Sequence, residues 1–250
     1  EARKPSFSGP GAPSPSIEII YADNDVCLIN KPWNLLSQPD RDGGESVISR
    51  TTATLGWKDP SFFPTPVHRL DRNTSGAMAL ALNGVALRVL HEAWRKGNVL
   101  KTYLALVVGE APNELEIDSP LLKTGEDNIV GIDAARGRTA LTRFRKVTGD
   151  SVVSLLQVEL LTGRPHQARV HLASIGHPLV GDIKYGDRKV NAEWRLLGVH
   201  RPMLHSRSLE FRDLSAPLGH LSGKKFLALP PPDFMGILSS RGWRLYNRGV

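Results

Sequence analysis

A carboxylate between two arginines is the first feature of the sequence that could carry chemistry. Asp71 lies between Arg69 and Arg72 in the segment 68–76. If the residues leading to it form a strand, alternate side chains share a face, so Arg69 and Asp71 point to the same side. The neighbouring guanidinium groups favour the ionised carboxylate. Asp71 is therefore either a functional anion at the end of a strand or a salt-bridged loop residue, because ion-pair networks resemble functional sites.

A second segment, Lys101-Thr102-Tyr103, opens a predicted strand. The alternation of side chains places Lys101 and Tyr103 on one face of that strand. A tyrosine beside a cation can stack on a nucleobase, which contributes about 1–3 kcal/mol per base. The alternative is that the ring fills the core, which is the more common role of an isolated strand tyrosine.

Hydrogen-bond donors cluster in a third segment, residues 161–171, where a short helix is predicted. The N-terminus of a helix attracts anions. His166 and Arg169 are three residues apart and share a helical face, as do Gln167 and His171 at four apart. Arg169 could therefore meet a carboxylate in a bidentate pair. A merely solvated helix start is more commonly acidic, so this composition favours a functional site.

The histidine spacing gives little support for a metal site. His166 and His171 are five residues apart, whereas two ligands on one helical face are four apart. The arginines interleaved with these histidines would also repel a cation. Glycine-rich phosphate loops and the GxSxG motif are absent, so nucleotide hydrolysis and α/β-hydrolase chemistry have no support. We therefore predict no metal.

Composition limits the class of protein and suggests a partner. The 250 residues include 32 Lys and Arg against 25 Asp and Glu, a net charge of +7. This balance favours a polyanionic partner, although a soluble protein can also simply be basic. The single cysteine excludes an internal disulfide. No apolar run approaches the roughly 20 residues of a membrane-spanning helix, and the first residues lack the apolar core of a signal peptide, so we expect a cytoplasmic protein.

The pattern of apolar residues and turn signals predicts one α+β domain over residues 17–250, rich in antiparallel pairing. Residues 1–16, with four prolines among serines and glycines, are predicted to be a flexible tail. The C-terminal third is expected to alternate short strands and turns before a last helix. The other predicted elements are a hairpin of residues 17–21 and 26–29, helices at 45–55 and 84–96, strands at 77–82, 100–108, 139–147 and 152–161, and a short helix between Gly163 and Gly176.

Taken together, these segments resemble the RluA family of RNA pseudouridine synthases. The resemblance covers roughly residues 17–235 in the family's order and spacing, and it is very specific because all the motifs occur together. It is carried by His-Arg-Leu-Asp at 68–71 with Thr-Ser-Gly at 74–76, Lys-Thr-Tyr-Leu-Ala at 101–105, and Thr-Gly-Arg-Pro-His-Gln-Ala-Arg-Val-His at 162–171. Supporting stretches are Asn30-Lys31-Pro32, Gly176-His177-Pro178, Gly181-Asp182, Tyr185-Gly186 and Leu204-His205.

The resemblance implies a pseudouridine synthase fold, with a mixed and mostly antiparallel sheet, flanking helices and a central catalytic cleft. It implies a cofactor-free reaction in which a uridine in RNA is extruded, its N1–C1′ bond breaks, and C5 bonds to C1′. Asp71 would be the catalytic carboxylate, Tyr103 would stack on the uracil, and Arg169 would pair with Asp71. The substrate-binding residues expected around them are Arg69, Arg72, Arg164, His166 and Gln167. The expected partner is a ribosomal or transfer RNA stem-loop, and the expected state is a monomer without a metal.

The sequence departs from the family's usual pattern at a few positions. Ala168 stands where a larger aliphatic residue is common, and Pro165 where serine or threonine is common. The side chains of the strand at 76–82 are also smaller than expected, so these departures concern packing. We recognise no counterpart of the family's frequent additional N-terminal RNA-binding module. Two other functions stay open: a non-catalytic RNA-binding protein on the same fold, and a glycoside-cleaving hydrolase, which would need a second acid near Asp71, with Asp182 or Asp187 as candidates.

Overall fold

The computed structural model describes residues 16–40, 43–124 and 129–245. The predicted tail, apart from Ser16, lies outside these residues. Within them, no helix is long and apolar enough to cross a membrane. The helices are α1 (Val47–Leu55), α2 (Gly84–Lys96), α3 (Gln167–Ser174), α4 (Arg188–Leu196) and α5 (Pro232–Ser240), with a short 3₁₀ turn at Leu218–Leu221. The strands are β1 (Glu18–Ala22), β2 (Val26–Lys31), β3 (Thr65–Pro66), β4 (Ser75–Ala81), β5 (Val99–Val108), β6 (Glu114–Asp118), β7 (Leu121–Thr124), β8 (Ile129–Ile132), β9 (Leu141–Gly149), β10 (Val153–Leu160), β11 (Leu204–Phe211) and β12 (Lys225–Leu227).

One large twisted sheet organises the molecule. Its strands follow the order β1-β2-β4-β11-β5-β10-β9-β6, with β3 paired to β4 and β12 paired to β11. The pairing of β4 with β11 is parallel, and the other pairs of this sheet are antiparallel. Strands β7 and β8 form a separate hairpin. This mixed, mostly antiparallel sheet with flanking helices confirms the predicted α+β class.

The small side chains of β4 let helix α2 pack closely on the sheet. Its alternate alanines, at positions 77, 79 and 81, belong to the same buried cluster as Ala86, Leu90 and Ala93 of α2. Met78 and Leu80 point to the opposite face, into the cluster that also holds Leu70 and Tyr103. The small side chains of this strand thus pack against the alanines of α2 within one buried cluster.

Most predicted elements are present, and helix α2 coincides with its predicted range, with Gly97 ending it at φ +77°. The expectation of a strand leading to Asp71 is wrong. Only Thr65–Pro66 pair with β4, and residues 67–71 are irregular. The pairing stops there because the Ala79 N–H of β4 donates to His68 Nε2, and both backbone groups of Leu70 bond to Ser37 Oγ, so neither takes part in a ladder. Helix α4 also lies where short strands and turns are expected; it buries only Asn191 and Trp194, so few apolar residues mark it in the sequence.

A glycine joins the loop that carries Asp71 to the sheet. Gly76 adopts φ +118° at the start of β4 and pairs with Ser206 of β11 in the parallel ladder. A Cβ at this position would overlap the backbone of Ser206, including its carbonyl oxygen. Glycine is therefore required both by the backbone conformation and by the close approach of the two strands.

Replacing Gly76 with alanine is expected to lower the free energy of unfolding by about 3 kcal/mol or to prevent folding. The matched control is Gly236→Ala in the interior of α5, where no neighbour lies within 4 Å of the new Cβ. That control should raise stability by up to about 1 kcal/mol, because alanine is the better helix former. Urea denaturation measures both, and a Gly76→Ala protein as stable as the original would contradict the argument.

Candidate active site

A buried serine fixes the backbone immediately before Asp71. The Leu70 N–H donates to Ser37 Oγ at 3.1 Å, and the Ser37 hydroxyl donates to the Leu70 carbonyl oxygen at 2.7 Å. Leu70 itself is buried in the core below the loop. Asp71 then emerges with its side chain 33% exposed. The carboxylate is thus open to a ligand although its backbone is anchored in the interior.

Two buried cations hold the backbone immediately after Asp71. Lys31 Nζ donates to the carbonyl oxygens of Arg72 at 3.1 Å and Thr74 at 2.9 Å, and also to that of the adjacent Pro32. Arg201 Nη1 reaches the carbonyl oxygen between them, that of Asn73, at 3.3 Å. Three consecutive carbonyl groups of the loop are therefore satisfied by side chains from β2 and from the segment before β11. We call Lys31 and Arg201 the carbonyl clamp.

The guanidinium of Arg201 is itself fixed by helix α5. Asp233, in the first turn of that helix, accepts from Arg201 Nε at 2.6 Å and from Nη2 at 3.0 Å. Both Arg201 and Lys31 are almost completely buried. Burial lowers the pKa of Lys31 to about 7, the charge of Asp71 opposes this, and the charges of three arginines reinforce it.

Arg169 of α3 lies between two carboxylates. Its Nη1 is 3.4 Å from Asp71 Oδ2, while Nε and Nη2 each donate to Asp182 at 2.8 Å. The bidentate pair anticipated for Arg169 is therefore made with the fully buried Asp182, and Asp71 receives one longer contact. Burial disfavours the charge of Arg169, but the hydrogen bonds and charge of Asp182 outweigh it and raise the pKa of the guanidinium. The cation is held in place before any ligand arrives.

His166 approaches the same carboxylate from the start of α3. It occupies the N-cap position of this helix with φ +52°, and its Nε2 lies 3.9 Å from Asp71 Oδ2. Its Nδ1 lies 2.7 Å from the Tyr185 hydroxyl oxygen. The other histidine of the motif, His171, faces away, with its nitrogens on Thr142 Oγ1 and the Ser119 carbonyl oxygen. The two histidines thus do not converge on a common point.

Tyr103 is placed deeper than the polar residues of the site. It is buried in the core cluster below the Asp71 loop, and β5 pairs it with Ser206 of β11. Burial, and then the charge of Asp71, raise its pKa, while a hydrogen bond with Ser206 lowers it. The phenol is therefore neutral, and it lies on the face of the sheet whose buried cluster also holds Leu70, the residue before Asp71.

The predicted binding arginines lie at the surface around this cluster. Arg69 is exposed, and the exposed Arg72 donates from Nε to Asn34 Oδ1 at 3.0 Å. Arg164 is partly exposed and donates from Nε to the Thr139 carbonyl oxygen at 2.9 Å. These side chains leave guanidinium N–H groups accessible to an anion.

The expectation that Gln167 contacts a ligand is not consistent with its surroundings. Gln167 is buried, and its Nε2 donates to the Leu141 carbonyl oxygen and to Thr142 Oγ1. Its Oε1 accepts from the Thr162 hydroxyl and from the Arg164 N–H. All of its amide groups are used within the protein, so Gln167 shapes the loop before α3.

Several residues of the site are not singled out by sequence reasoning. The buried Asp182 and the partly buried Tyr185 occur in supporting motifs, and Asp182 is otherwise named only as a candidate second acid of a hydrolase. The signal for Arg201 is weak: together with His200 it lies between Val199 and the apolar residues 202–204. Trp33, a turn residue next to the clamp, has no such signal. Its ring is 40% exposed and has the guanidinium carbon of Arg201 5.9 Å from its centroid.

Comparison with known proteins gives a consistent family match. The family model described as RNA pseudouridylate synthase matches residues 25–174. The Ribosomal large subunit pseudouridine synthase C of Vibrio vulnificus is 34% identical over 211 residues, which cover 80% of this chain and 65% of that protein. The protein of the same name from Vibrio cholerae is 35% identical over 195 residues, covering 77% of this chain and 60% of that protein. The chain thus spans somewhat less than two thirds of the length of these curated relatives.

Solved structures share the fold. Human RNA Pseudouridylate Synthase Domain Containing 4 superposes with a TM-score of 0.75 at 22% identity, covering 92% of this chain and 95% of that one. Human RNA Pseudouridylate Synthase Domain Containing 1 gives a TM-score of 0.64 at 25% identity, with 94% and 98% covered. The sheet and helices of this chain are therefore those of pseudouridylate synthase domains.

The buried ammonium of Lys31 predicts a pH-dependent stability difference. Its pKa is about 7 in the folded protein and 10.5 in the unfolded chain. Between these values the unfolded chain binds more protons, so the contribution of Lys31 becomes more favourable to folding as the pH rises, by at most about 1.4 kcal/mol per pH unit. The unfolding free energy of the original protein minus that of Lys31→Met should therefore become more positive from pH 7.5 to pH 9. Urea denaturation at both pH values measures it, and a difference that does not change with pH would count against a lowered pKa.

Proposed function

The chain belongs to the family of RNA pseudouridylate synthases, and from this premise we propose that it isomerises uridine to pseudouridine in RNA, with large-subunit ribosomal RNA as the first candidate substrate. The observation that carries the proposal is a half-open carboxylate, Asp71, whose backbone is fixed on both sides and whose Oδ2 faces Arg169 at 3.4 Å. A reaction that begins with an anionic carboxylate needs this arrangement. Ribosomal RNA is favoured because the curated relatives are named for it.

The proposed isomerisation requires few groups beyond these residues. The N1–C1′ bond of the uridine breaks, C5 bonds to C1′, the C5 proton is lost and N1 gains a proton, so the reaction is an isomerisation without a redox step. The base must first leave its stack, at a cost of a few kcal/mol. Asp71 would then add to the sugar, add to the base, or remove a sugar proton, and each route starts from the carboxylate anion. Tyr103 would contact the uracil from below, and its neutral phenol adds no charge there.

The surface around Asp71 fits an RNA strand. Arg69 and Arg72 flank the carboxylate with exposed side chains, and His166 lies on its other side. Guanidinium groups bind phosphate through several N–H donors. The exposed ring of Trp33 lies near Arg72, because Asn34, the residue after Trp33, accepts a hydrogen bond from the Arg72 guanidinium. We propose that this ring stacks on a base that neighbours the target.

A glycoside-cleaving hydrolase would need a second acid near Asp71, and neither candidate residue is suitably placed. Asp182 lies near Asp71 through the shared Arg169, but it is fully buried and both of its carboxylate oxygens accept from that guanidinium. Asp187 caps helix α4 and accepts from two of its N–H groups. Neither carboxylate is placed to protonate a leaving group.

Replacing Asp71 with asparagine is expected to lower kcat for pseudouridine formation by about a thousandfold or more. RNA affinity should stay nearly unchanged, because phosphate contacts carry most of it. Pseudouridine is detected by chemical mapping of ribosomal and transfer RNA incubated with the purified protein, and affinity by filter binding. Asp118→Asn, an isosteric change on the exposed end of β6, is the control.

Three outcomes would decide between the functions. Pseudouridine at a defined position that disappears with Asp71→Asn supports the proposal. Release of free uracil would indicate a hydrolase instead. RNA binding without any base change, by the original protein as well as the variant, would identify a non-catalytic binding protein. Modification confined to transfer RNA would keep the reaction and replace the proposed substrate.

Replacing Trp33 with alanine should weaken RNA binding about fivefold to 150-fold, because base–aromatic stacking contributes about 1–3 kcal/mol. Trp33→Phe should recover most of the affinity. Leu196→Ala is the matched control, since Leu196 is an apolar side chain 89% exposed at the end of α4. Filter binding with an RNA stem-loop measures all three, and an unchanged affinity in Trp33→Ala would exclude the stacking contact.

A further inference from the structure

The hydroxyl of Tyr185 lies between the β7–β8 hairpin and His166. The backbone N–H of Val130 in β8 donates to the Tyr185 hydroxyl oxygen at 3.0 Å. On its other side the same oxygen lies 2.7 Å from His166 Nδ1. Val130 and Val170 of α3 share a buried cluster with the partly buried Tyr185, so these groups are packed in place. The hydroxyl therefore connects a hairpin backbone to a side chain beside Asp71.

The direction of the Tyr185–His166 hydrogen bond follows from counting donors. A phenol has one O–H to donate, and its oxygen already accepts from Val130. If Nδ1 carried the proton, the oxygen would accept twice and its own O–H would find no partner in this contact. With the O–H donated to an unprotonated Nδ1, all three groups are satisfied. The proton of a neutral His166 then resides on Nε2.

The position of Asp71 independently favours a proton on His166 Nε2. His166 Nε2 faces Asp71 Oδ2 at 3.9 Å. An N–H directed at a carboxylate is attractive, whereas a nitrogen lone pair in the same place would repel it. The Nε2–H form is therefore favoured by both neighbours of the ring.

The partly buried surroundings of His166 favour the neutral ring. Burial lowers its pKa, and the cations Arg169 and Lys184 act in the same direction, while Asp71 and Asp182 act against them. Tyr185 carries no charge, since burial raises its pKa. A neutral His166 keeps an acceptor for Tyr185 at Nδ1, which a doubly protonated ring would lose.

We propose that Tyr185 is a positioning residue that, with the Val130 backbone, holds His166 as the neutral Nε2–H tautomer, and that this N–H donates to Asp71 when RNA closes the site. The inference rests on the proposed function for its catalytic consequence but not for the tautomer itself. His166 and Arg169 both approach Oδ2. Within the described part of the chain, this leaves Oδ1 as the carboxylate oxygen that faces the nucleotide. A hydrogen bond to Oδ2 would thus orient the carboxylate without blocking it.

The tautomer can be observed directly in the full chain without RNA. Two-bond proton–nitrogen correlation spectra of protein labelled with ¹⁵N-histidine distinguish the two neutral forms and the cation, and His166→Gln assigns the signals. At pH 7.5 we expect an unprotonated Nδ1 and a protonated Nε2 at His166. In Tyr185→Phe, which removes the hydroxyl but keeps the ring over Arg169, the Nδ1–H form should become detectable beside the Nε2–H form that Asp71 still favours. A proton on Nδ1 in the original protein, or a doubly protonated ring, would overturn the proposal whether or not the protein is active.

The catalytic part is tested by kinetics on the same variants. Tyr185→Phe should lower kcat about tenfold, the effect of one hydrogen bond, with KM for RNA unchanged. Tyr21→Phe removes another hydrogen-bonded phenol hydroxyl far from the site, on Asp23, and is the matched control. His166→Gln, which still offers an N–H donor, should keep more activity than His166→Leu.

The outcomes distinguish a failure of this inference from a failure of the proposed function. Equal kcat for Tyr185→Phe and the original protein, or equal losses in His166→Gln and His166→Leu, would overturn the positioning role. Urea denaturation shows whether a variant is folded; if Tyr185→Phe is not, the comparison of the two His166 variants decides. If the original protein makes no pseudouridine, the proposed function fails while the spectra still test the tautomer.

Discussion

The placement of Asp71 depends on the carbonyl clamp formed by Lys31 and Arg201. A loop that leaves its carbonyl groups in the interior is unstable unless each finds a donor, because an unsatisfied buried carbonyl costs about 1–3 kcal/mol. The two basic side chains supply several donors each; Asp233 pairs with the guanidinium of Arg201, whereas burial still lowers the pKa of Lys31 to about 7. The result is a loop whose shape is set by the interior while the carboxylate stays open to solvent.

The charges of the site are arranged before a substrate binds. The guanidinium of Arg169 is committed to the buried Asp182 through two short hydrogen bonds, which leaves Nη1 directed at Asp71. A cation that is already oriented needs no reorganisation when charge develops nearby, and this is the main source of electrostatic catalysis. Asp182 contacts Asp71 only indirectly, through the guanidinium that the two carboxylates share, although it is the closer carboxylate to Arg169.

Local sequence patterns are sufficient for most of the fold and for the identity of the central residues, but not for their partners. The apolar period of α2 and its glycine end are local signals, so the helix can be predicted to the residue. The residues before Asp71 are misassigned because the side chains of His68 and Ser37 take hydrogen bonds that a ladder with β4 would use. Gln167 is expected to face a ligand, yet its partners lie on β9, some 25 positions away, and no local pattern reveals such a contact.

Residues from the last third of the chain stabilise the site through hydrogen bonds. The family match ends at residue 174, yet Asp182, Tyr185, Arg201 and Asp233 all lie beyond it. These residues complete hydrogen bonds that begin at Arg169, His166 and the Asp71 loop. Helix α5 thus supports the Asp71 loop through the ion pair of the buried Arg201 with the partly buried Asp233. The carboxylate and its immediate neighbours come from the matched region, while much of their rigidity comes from the C-terminal segment beyond residue 174.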